Sequence, residues 1–266
     1  MALEIIVTGA NGRMGQCICR IVSADPECRL AGVVERKEHL KLLARYDCPV
    51  GENLGKILKQ APQALIIDFT MPEVSMDNAR LAAEGGRPIV VGTTGFTDAQ
   101  KAELGQLAKK TAIFWSANMS IGINAIINIL PRLAGLLGAE YDMEIVEIHH
   151  RKKKDSPSGT GLMLGEALAK ARGWSLAETR RSCRDGIIGE RQEDEIGIQA
   201  VRGGDVVGVH TIYFLGPGER IELTHQAHSR DNFAEGAISA AKWLCSKKPG
   251  RLYNMQDMLE AHLDKM

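Results

Sequence analysis

With 266 residues, 44% of them hydrophobic and 25% charged, the chain is long enough for one large domain or two modest ones, each with its own core, and has the balance of a soluble globular protein. Its 33 basic and 33 acidic residues cancel, so there is no global field to gather nucleic acid or an anionic membrane, and a positive patch has to be local. No run approaches the roughly 20 apolar residues of a membrane helix, and because the N-terminus enters a strand-like segment at once, no signal-type leader is expected. Six scattered cysteines form no CxxC pair and no Cys/His metal spacing. Reduced thiols without a disulfide framework or zinc site are expected, and with them a cytoplasmic protein.

In chain order, Leu3–Val7 reads as a short strand ending in a glycine-rich turn, followed by a helix from about Arg13 to Ser23 and a second strand, Leu30–Val34. Ala64–Asp68 is a further strand, Pro72 suits the first turn of the next helix, and Gly85-Gly86 suits its end. Pro88–Val91 is another strand. Thr97-Asp-Ala-Gln100 has capping-box spacing and opens a helix to about Lys110, and Ala112–Trp115 closes the series. Short apolar strands alternating with helices imply a parallel, doubly wound sheet of the α/β Rossmann type.

After about Ser120 the pattern changes. A helix from about Ile121 to Leu137 leads to a longer strand, Tyr141–Ile148, and a second helix runs from about Gly161 to Arg172, stopped by Gly173. Ile196–Val201, Val206–Leu215 and Arg220–His225 are separated by Gly203-Gly204-Asp205 and Gly216-Pro217-Gly218, and such turns read as antiparallel hairpins. An α+β region with a mixed or antiparallel sheet is expected, ending in helices at Asn232–Leu244 and about Met255–Leu263.

Gly9-Ala10-Asn11-Gly12-Arg13-Met14-Gly15 stands where the first strand meets the first helix. Glycines there let the backbone approach a pyrophosphate, and the helix N-terminus offers N–H groups to its charge. Asn11 takes the place of the second glycine of the GxGxxG form, and Asn tolerates left-handed geometry. Glu35, twenty residues beyond Gly15 at the end of the second strand, is placed to grip an adenosine ribose. Arg36 is placed to meet a 2′-phosphate, so NADH and NADPH are both plausible. A solvated charge pair at a strand end is the plainer alternative. Gly92-Thr93-Thr94-Gly95, Ser116-Ala117-Asn118-Met119 and Asp68-Phe69-Thr70 follow later strands, where loops line the ligand crevice or are ordinary turns.

Glu147-Ile-His-His-Arg-Lys-Lys-Lys-Asp-Ser-Pro-Ser-Gly-Thr160 joins two adjacent histidines, four cations and a helix start. His149 and His150 at a strand end point to opposite faces, one toward a cofactor crevice and the other toward ligand or framework. Histidine is the side chain best suited to donate a proton near neutral pH. The cations, the N–H groups of Gly159 and Thr160 and the Thr160 hydroxyl suit a small dicarboxylate. A nucleic-acid patch is disfavoured, because no aromatics interleave these cations.

These residues resemble the 4-hydroxy-tetrahydrodipicolinate reductase (dihydrodipicolinate reductase) family over essentially the whole chain. The likeness rests on Val7–Gly15, Ile67-Asp-Phe-Thr70, Gly92-Thr-Thr-Gly-Phe96, Ser116-Ala-Asn118, His149-His150-Arg151 with Lys153, Asp155 and Pro157-Ser-Gly-Thr160, and Ser229-Arg230 with Phe233-Ala234 and Gly236-Ala237. The resemblance implies an NAD(P)H-dependent oxidoreductase of the diaminopimelate–lysine pathway acting on a cyclic dicarboxylate, with His149 as proton donor assisted by Lys153. His150, Gly159 and Thr160 would bind substrate carboxylates. Gly9 to Met14 would bind the cofactor diphosphate, Glu35 and Arg36 its adenosine end, and Gly92, Thr93, Thr94 and Ser116–Met119 its nicotinamide end. It also implies a dinucleotide-binding domain (1–119), a substrate-binding and oligomerisation domain (120–229) and C-terminal helices returning to the first (230–266), in a homotetramer.

Met119 departs from the aromatic often found there, and Lys152 differs from many relatives. His225 and His228 are read as structural. The competing readings are a non-catalytic nicotinamide-dinucleotide sensor and a dehydrogenase of another small amino or keto acid. The intact His149, Lys153 and Thr160 count against the sensor, and the Pro-Ser-Gly-Thr element counts against the other dehydrogenase.

Overall fold

The computed structural model describes residues 2–263, with side chains to residue 261, so the last three residues of the expected C-terminal segment lie outside the described residues. The chain divides into two compact units, one holding the residues up to Ile121 and from Arg230 onward, the other Gly122–Ser229.

In the first unit β1 (Leu3–Thr8) passes through α1 (Arg13–Ala24) into β2 (Cys28–Val34). A 3-10 segment (Lys37–Leu43), β3 (Val50–Gly51), α2 (Leu54–Gln60) and β4 (Leu65–Asp68) follow. Next come α3 (Pro72–Glu84), β5 (Ile89–Val91), α4 (Asp98–Leu107) and β6 (Ile113–Trp115). The second unit holds α5 (Ile121–Leu137, from its second residue), β7 (Asp142–His149), α6 (Gly159–Arg172), α7 (Leu176–Thr179), β8 (Arg180–Arg181), β9 (Ile196–Arg202), β10 (Gly208–Gly216) and β11 (Glu219–Ala227). The chain then returns to the first unit as α8 (Asp231–Leu244), β12 (Leu252–Tyr253) and α9 (Met255–Leu263).

The first sheet is parallel throughout, in the order β12-β6-β5-β4-β1-β2-β3. The strand period of two sends Ile5 and Val7 to one face and Ile6 to the other. Ile5 and Val7 pack with Ile18 and Val22 of α1 and Ala237 and Ala241 of α8. Ile6 packs with Ile57 of α2, Met76 and Ala79 of α3 and Leu104 of α4. Both faces are covered, as near-continuous apolar strands require. The order reverses between β1 and β4, so the carboxyl ends of those strands flank the crevice where doubly wound sheets take ligands.

Several local signals are realised in the backbone. Pro72 is the first residue of α3, Thr97 and Gln100 form the reciprocal capping box of α4, and Gly173 ends α6 in the left-handed conformation at φ 70°.

The second sheet runs β11-β10-β7-β9-β8 and is mixed. β10 pairs antiparallel with β11 and β7, whereas β7 and β9 are parallel. Its inner face (Ile145, Ile198, Ile212, Phe214) packs on Leu130 and Ala134 of α5 and Leu164 and Leu168 of α6. The expected β10–β11 hairpin is present, but the expected hairpin between β9 and β10 is corrected: β7 lies between them. Two strand spacings are roughly 10 Å, and the five residues from Gly203 to Val207 are enough to span them. The loop crosses the end of β7, where the Gly203 N–H donates to the His149 carbonyl (3.0 Å), the His150 N–H to the Val206 carbonyl (2.8 Å) and the Arg151 N–H to the Gly204 carbonyl (3.2 Å).

α8 approaches the β6–α5 turn through Gly236, where a Cβ would collide with the Met119 carbonyl oxygen. Gly236→Ala is expected to destabilise the protein by about 1–3 kcal/mol through overpacking. Gly105→Ala in α4, where a Cβ meets nothing within 4 Å, is expected to stabilise it by up to about 1 kcal/mol through helix propensity. Urea unfolding compares the two, and equal effects would contradict the close approach.

Candidate active site

The β1–α1 turn is built by two glycines with distinct duties. Gly9 has φ +67°, a backbone conformation that side chains rarely adopt. Gly15 lies so close to the turn that a Cβ would collide with the Gly9 carbonyl. Asn11 does not use the left-handed geometry expected of it, since no described non-glycine residue has positive φ. Its N–H donates instead to Glu35 Oε2 at 2.9 Å, and the Glu35 Oε1 accepts from the Arg36 N–H at 2.9 Å. Glu35, expected on an adenosine ribose, thus ties the end of β2 to the glycine turn. Ala10 is buried, whereas Gly12 and Arg13 are exposed and Met14 is half-buried at the start of α1. A cavity of about 450 Å3 opens here, lined among others by Gly9, Asn11, Gly12, Glu35, Arg36 and Thr70. A glycine turn that no side chain could fill, a helix N-terminus and a carboxylate at the end of β2 fit the adenosine diphosphate half of a dinucleotide.

At the neighbouring strand end, the fully buried Asp68 accepts from Thr8 Oγ1 (2.7 Å), Thr70 N (3.1 Å), Asn78 Nδ2 (2.6 Å), Thr93 Oγ1 (3.1 Å) and the Ser75 hydroxyl. Thr93 is buried in this network, and its carbonyl accepts from Trp115 Nε1 at 3.1 Å. Gly92 is packed under the Phe69 ring, which occupies the place a Cβ would take, and Thr94 is exposed. In the next loop the Ser116 hydroxyl donates to the Asn118 carbonyl (2.7 Å), Asn118 Oδ1 accepts from the Ser120 N–H (2.8 Å) and Ala117 is exposed. Met119 belongs to the core with Ala234 and Ala237.

In the second unit β7 alternates buried and half-buried residues, which puts Glu147 and His149 side by side on the inner face. His149 Nδ1 stands 2.6 Å from Glu147 Oε2. Arg202 of β9 makes a two-pronged pair with Glu147 at 2.8 and 2.7 Å, and the Ser158 N–H donates to Glu147 Oε1 at 2.9 Å. Ser158 caps α6 by accepting from the Gly161 N–H at 3.0 Å, so Gly159 and Thr160 are the first residues of that helix, with N–H groups directed out of its end. A Cβ on Gly159 would meet nothing within 4 Å. Lys153 pairs with Asp155 at 2.9 Å, and Arg202 donates to the Asp155 carbonyl at 2.9 Å. His150 Nδ1 is buried and meets no hydrogen-bonding partner among the described residues.

Burial pushes the His149 imidazole below the ordinary histidine range, with Lys153 and Arg202 adding to this, while the Glu147 carboxylate pulls against it. For Glu147, burial acts upward, but the hydrogen bonds from Arg202, His149 and Ser158 outweigh it and hold the group ionised below its usual range. His210 of β10 lies edge-on to His149, with centroids 5.2 Å apart, and its Nε2 is 3.2 Å from the Ser158 hydroxyl. Burial, reinforced by His149, pushes His210 down to about 3.

Two family models match the chain: dihydrodipicolinate reductase N-terminus over residues 3–119 and dihydrodipicolinate reductase C-terminus over residues 122–259. The chain belongs to the dihydrodipicolinate reductase family. It is 60% identical to a 4-hydroxy-tetrahydrodipicolinate reductase of Desulfovibrio desulfuricans, covering 97% of this chain and 100% of that one. It is 45% identical to that of Citrifermentans bemidjiense, covering 97% and 98%. Among solved structures it is similar to a dipicolinate-bound dihydrodipicolinate reductase from Paenisporosarcina sp. TG-14, with a TM-score of 0.76, 27% identity and coverage of 96% and 98%. A probable dehydrogenase from Thermotoga maritima shares the fold, with a TM-score of 0.66 at 13% identity and coverage of 98% and 94%.

The sequence marks His149, Lys153, Gly159 and Thr160 as candidates on one segment, which the structure runs from the end of β7 into α6, but it gives no role to Glu147, Ser158, Arg202 or His210. The Glu-x-His spacing on a strand was a visible signal for Glu147, whereas Arg202 and His210 arrive from β9 and β10 with no local mark. His210 stays neutral in the folded state to about pH 3 but takes up a proton near its ordinary 6.5 when unfolded. Its stabilisation is therefore complete above 6.5 and is lost as pH falls, at about 1.4 kcal/mol per pH unit. Urea unfolding between neutral and mildly acidic pH is expected to show a shallower decline for His210→Gln, and an unchanged slope would contradict the burial of a neutral ring.

Proposed function

We propose that this chain reduces 4-hydroxy-tetrahydrodipicolinate to tetrahydrodipicolinate, with loss of water, in diaminopimelate and lysine biosynthesis. The observation that carries the reading is the joining of a buried histidine, a lysine and a helix N-terminus on one segment of a chain whose relatives bear that enzyme name. The solved relative with dipicolinate bound supports a small dicarboxylate as ligand. The nicotinamide dinucleotide, when bound, supplies the hydride that adds to one end of the substrate's conjugated system.

The residues of the chain do the rest. His149 hands a proton to the other end, assisted by Lys153, and the surrounding cations stabilise negative charge that develops on the conjugated side. His150 and the N–H groups of Gly159 and Thr160 hold the carboxylates. Neither φ nor packing requires glycine at 159, so its bare backbone serves close approach of the ligand. Gly9 to Met14 cradle the cofactor diphosphate, and Gly92, Thr93, Thr94 and Ser116–Met119 lie toward the nicotinamide end. Glu35 takes the adenosine ribose. Arg36, with His39 Nε2 3.2 Å from its Nη2, meets a 2′-phosphate, so both NADH and NADPH serve. Six free cysteines accord with a reducing, cytoplasmic setting.

We also propose a homotetramer built through the second unit. The outer face of its sheet carries the cross-strand row Val201, Ile148 and Val209, with Val201 47% and Leu215 36% exposed. Sedimentation is expected to give four copies, and a stable monomer would contradict this.

Oxidation of NADH and NADPH, followed with the substrate generated in place, tests the activity. His149→Ala and Lys153→Ala are each expected to lower kcat by about 10²–10⁴-fold while cofactor binding persists. Gly159→Ala is expected to raise KM with no loss of thermal stability. Binding of either cofactor by the unmodified protein without turnover would overturn the proposal.

A further inference from the structure

Glu147 takes no part in the reaction as proposed above, yet its carboxylate is fully buried and accepts four hydrogen bonds, from His149 Nδ1, the Ser158 N–H and both terminal nitrogens of Arg202. We infer that Glu147 is the positioning residue of the substrate site: it keeps a proton on His149 Nδ1, so that Nε2 is the nitrogen that takes up a proton to form the imidazolium and then releases it to substrate, and with the same carboxylate it anchors the start of α6. The inference rests on the reading of His149 as proton donor.

The tautomer follows from donor and acceptor chemistry. An ionised carboxylate only accepts, so at 2.6 Å from Oε2 the proton resides on Nδ1. Nε2 faces Gly208, where even a Cβ would come within 3.1 Å of it, so the glycine keeps that edge of the ring clear. A carboxylate engaged only in a structural ion pair would need Arg202 alone. Here Arg202 stands in register opposite His149 across the parallel β7–β9 pair and also donates to the Asp155 carbonyl. The ring, the Lys153–Asp155 loop and the Ser158 cap are therefore set by one anion, which couples the place of proton delivery to the place where a substrate carboxylate is held.

The groups that face His149 are Glu147 on its own strand, Lys153 on the following loop, Arg202 on β9 and His210 on β10. Lys153 and Arg202 oppose the imidazolium and Glu147 favours it, while His210 remains neutral. Glu147→Gln removes the only one of these that supports the charged ring. A glutamine amide also has a single acceptor oxygen, which Arg202 and the Ser158 N–H both demand. Its NH2 end then falls against Nδ1 and favours the opposite tautomer.

The test is nitrogen-15 NMR of histidine-labelled protein, with the His149 signals assigned by their loss in His149→Gln, together with pH profiles of kcat. In the unmodified protein the neutral ring is expected in the Nδ1–H form. In Glu147→Gln the population is expected to move to Nε2–H, kcat to fall by about 10²-fold with a smaller change in KM, and the alkaline loss of activity to begin at lower pH. The spectrum of the unmodified protein stands even if the variant fails to fold: a neutral Nε2–H ring there would overturn the inference. So would a folded Glu147→Gln protein with unchanged tautomer, kcat and pH profile. Undiminished kcat in His149→Gln would instead sink the proton-donor reading and leave the tautomer result to judge Glu147 separately.

Discussion

A buried carboxylate that is fully supplied with donors is the constraint on which the second unit depends. Glu147 would be costly to ionise in the core if it stood alone, and removing one member of such a buried pair typically costs about 3–5 kcal/mol. The two-pronged contact from Arg202 and the Ser158 N–H make the charge tolerable, and in return three separate segments are drawn to one point. The end of β7, the cap of α6 and the end of β9 cannot shift independently without leaving a buried charge unmatched. The loop that straddles β7 adds a second restraint, clamping the backbone of His149, His150 and Arg151. Rigid support of this kind is what the proton-donor role proposed for His149 requires, because such a contribution depends on geometry before it depends on pKa.

The first unit solves a similar problem with Asp68. Its side chain gathers Thr8, Thr70, Ser75, Asn78 and Thr93 from the ends of β1, β4 and β5 and the start of α3. These strand ends border the point where strand order reverses, so the network fixes the loops on either side of the crevice proposed for the dinucleotide. Thr93 acts there through its backbone frame, since its hydroxyl and carbonyl are both committed within the protein.

Legibility in the sequence followed the range of the interaction. The capping box at Thr97, the stop at Gly173, the first-turn Pro72 and the glycine turn at Gly9 are set by neighbours, and they were readable. The two-residue edge strands β3 and β12 carry too little pattern to register. The β9–β10 connection was misread because a glycine-rich turn reports a change of direction and not whether a third strand lies between. Asn11 was expected to bend left-handed and instead offers its N–H to Glu35, a partner 24 residues away. Glu147 stood in plain view beside the histidines, but its meaning comes from Arg202, 55 residues further on. The site's residue types were local information, and their mutual support was not.

The most direct measurement is a crystal structure of the protein with NADH and dipicolinate bound. The expected result places one ligand carboxylate on the N–H groups of Gly159 and Thr160, with His149 Nε2 about 3 Å from the ring it serves and Nδ1 still on Glu147. Dipicolinate held away from the α6 N-terminus, or His149 turned so that Nδ1 meets the ligand, would contradict a substrate site organised by Glu147.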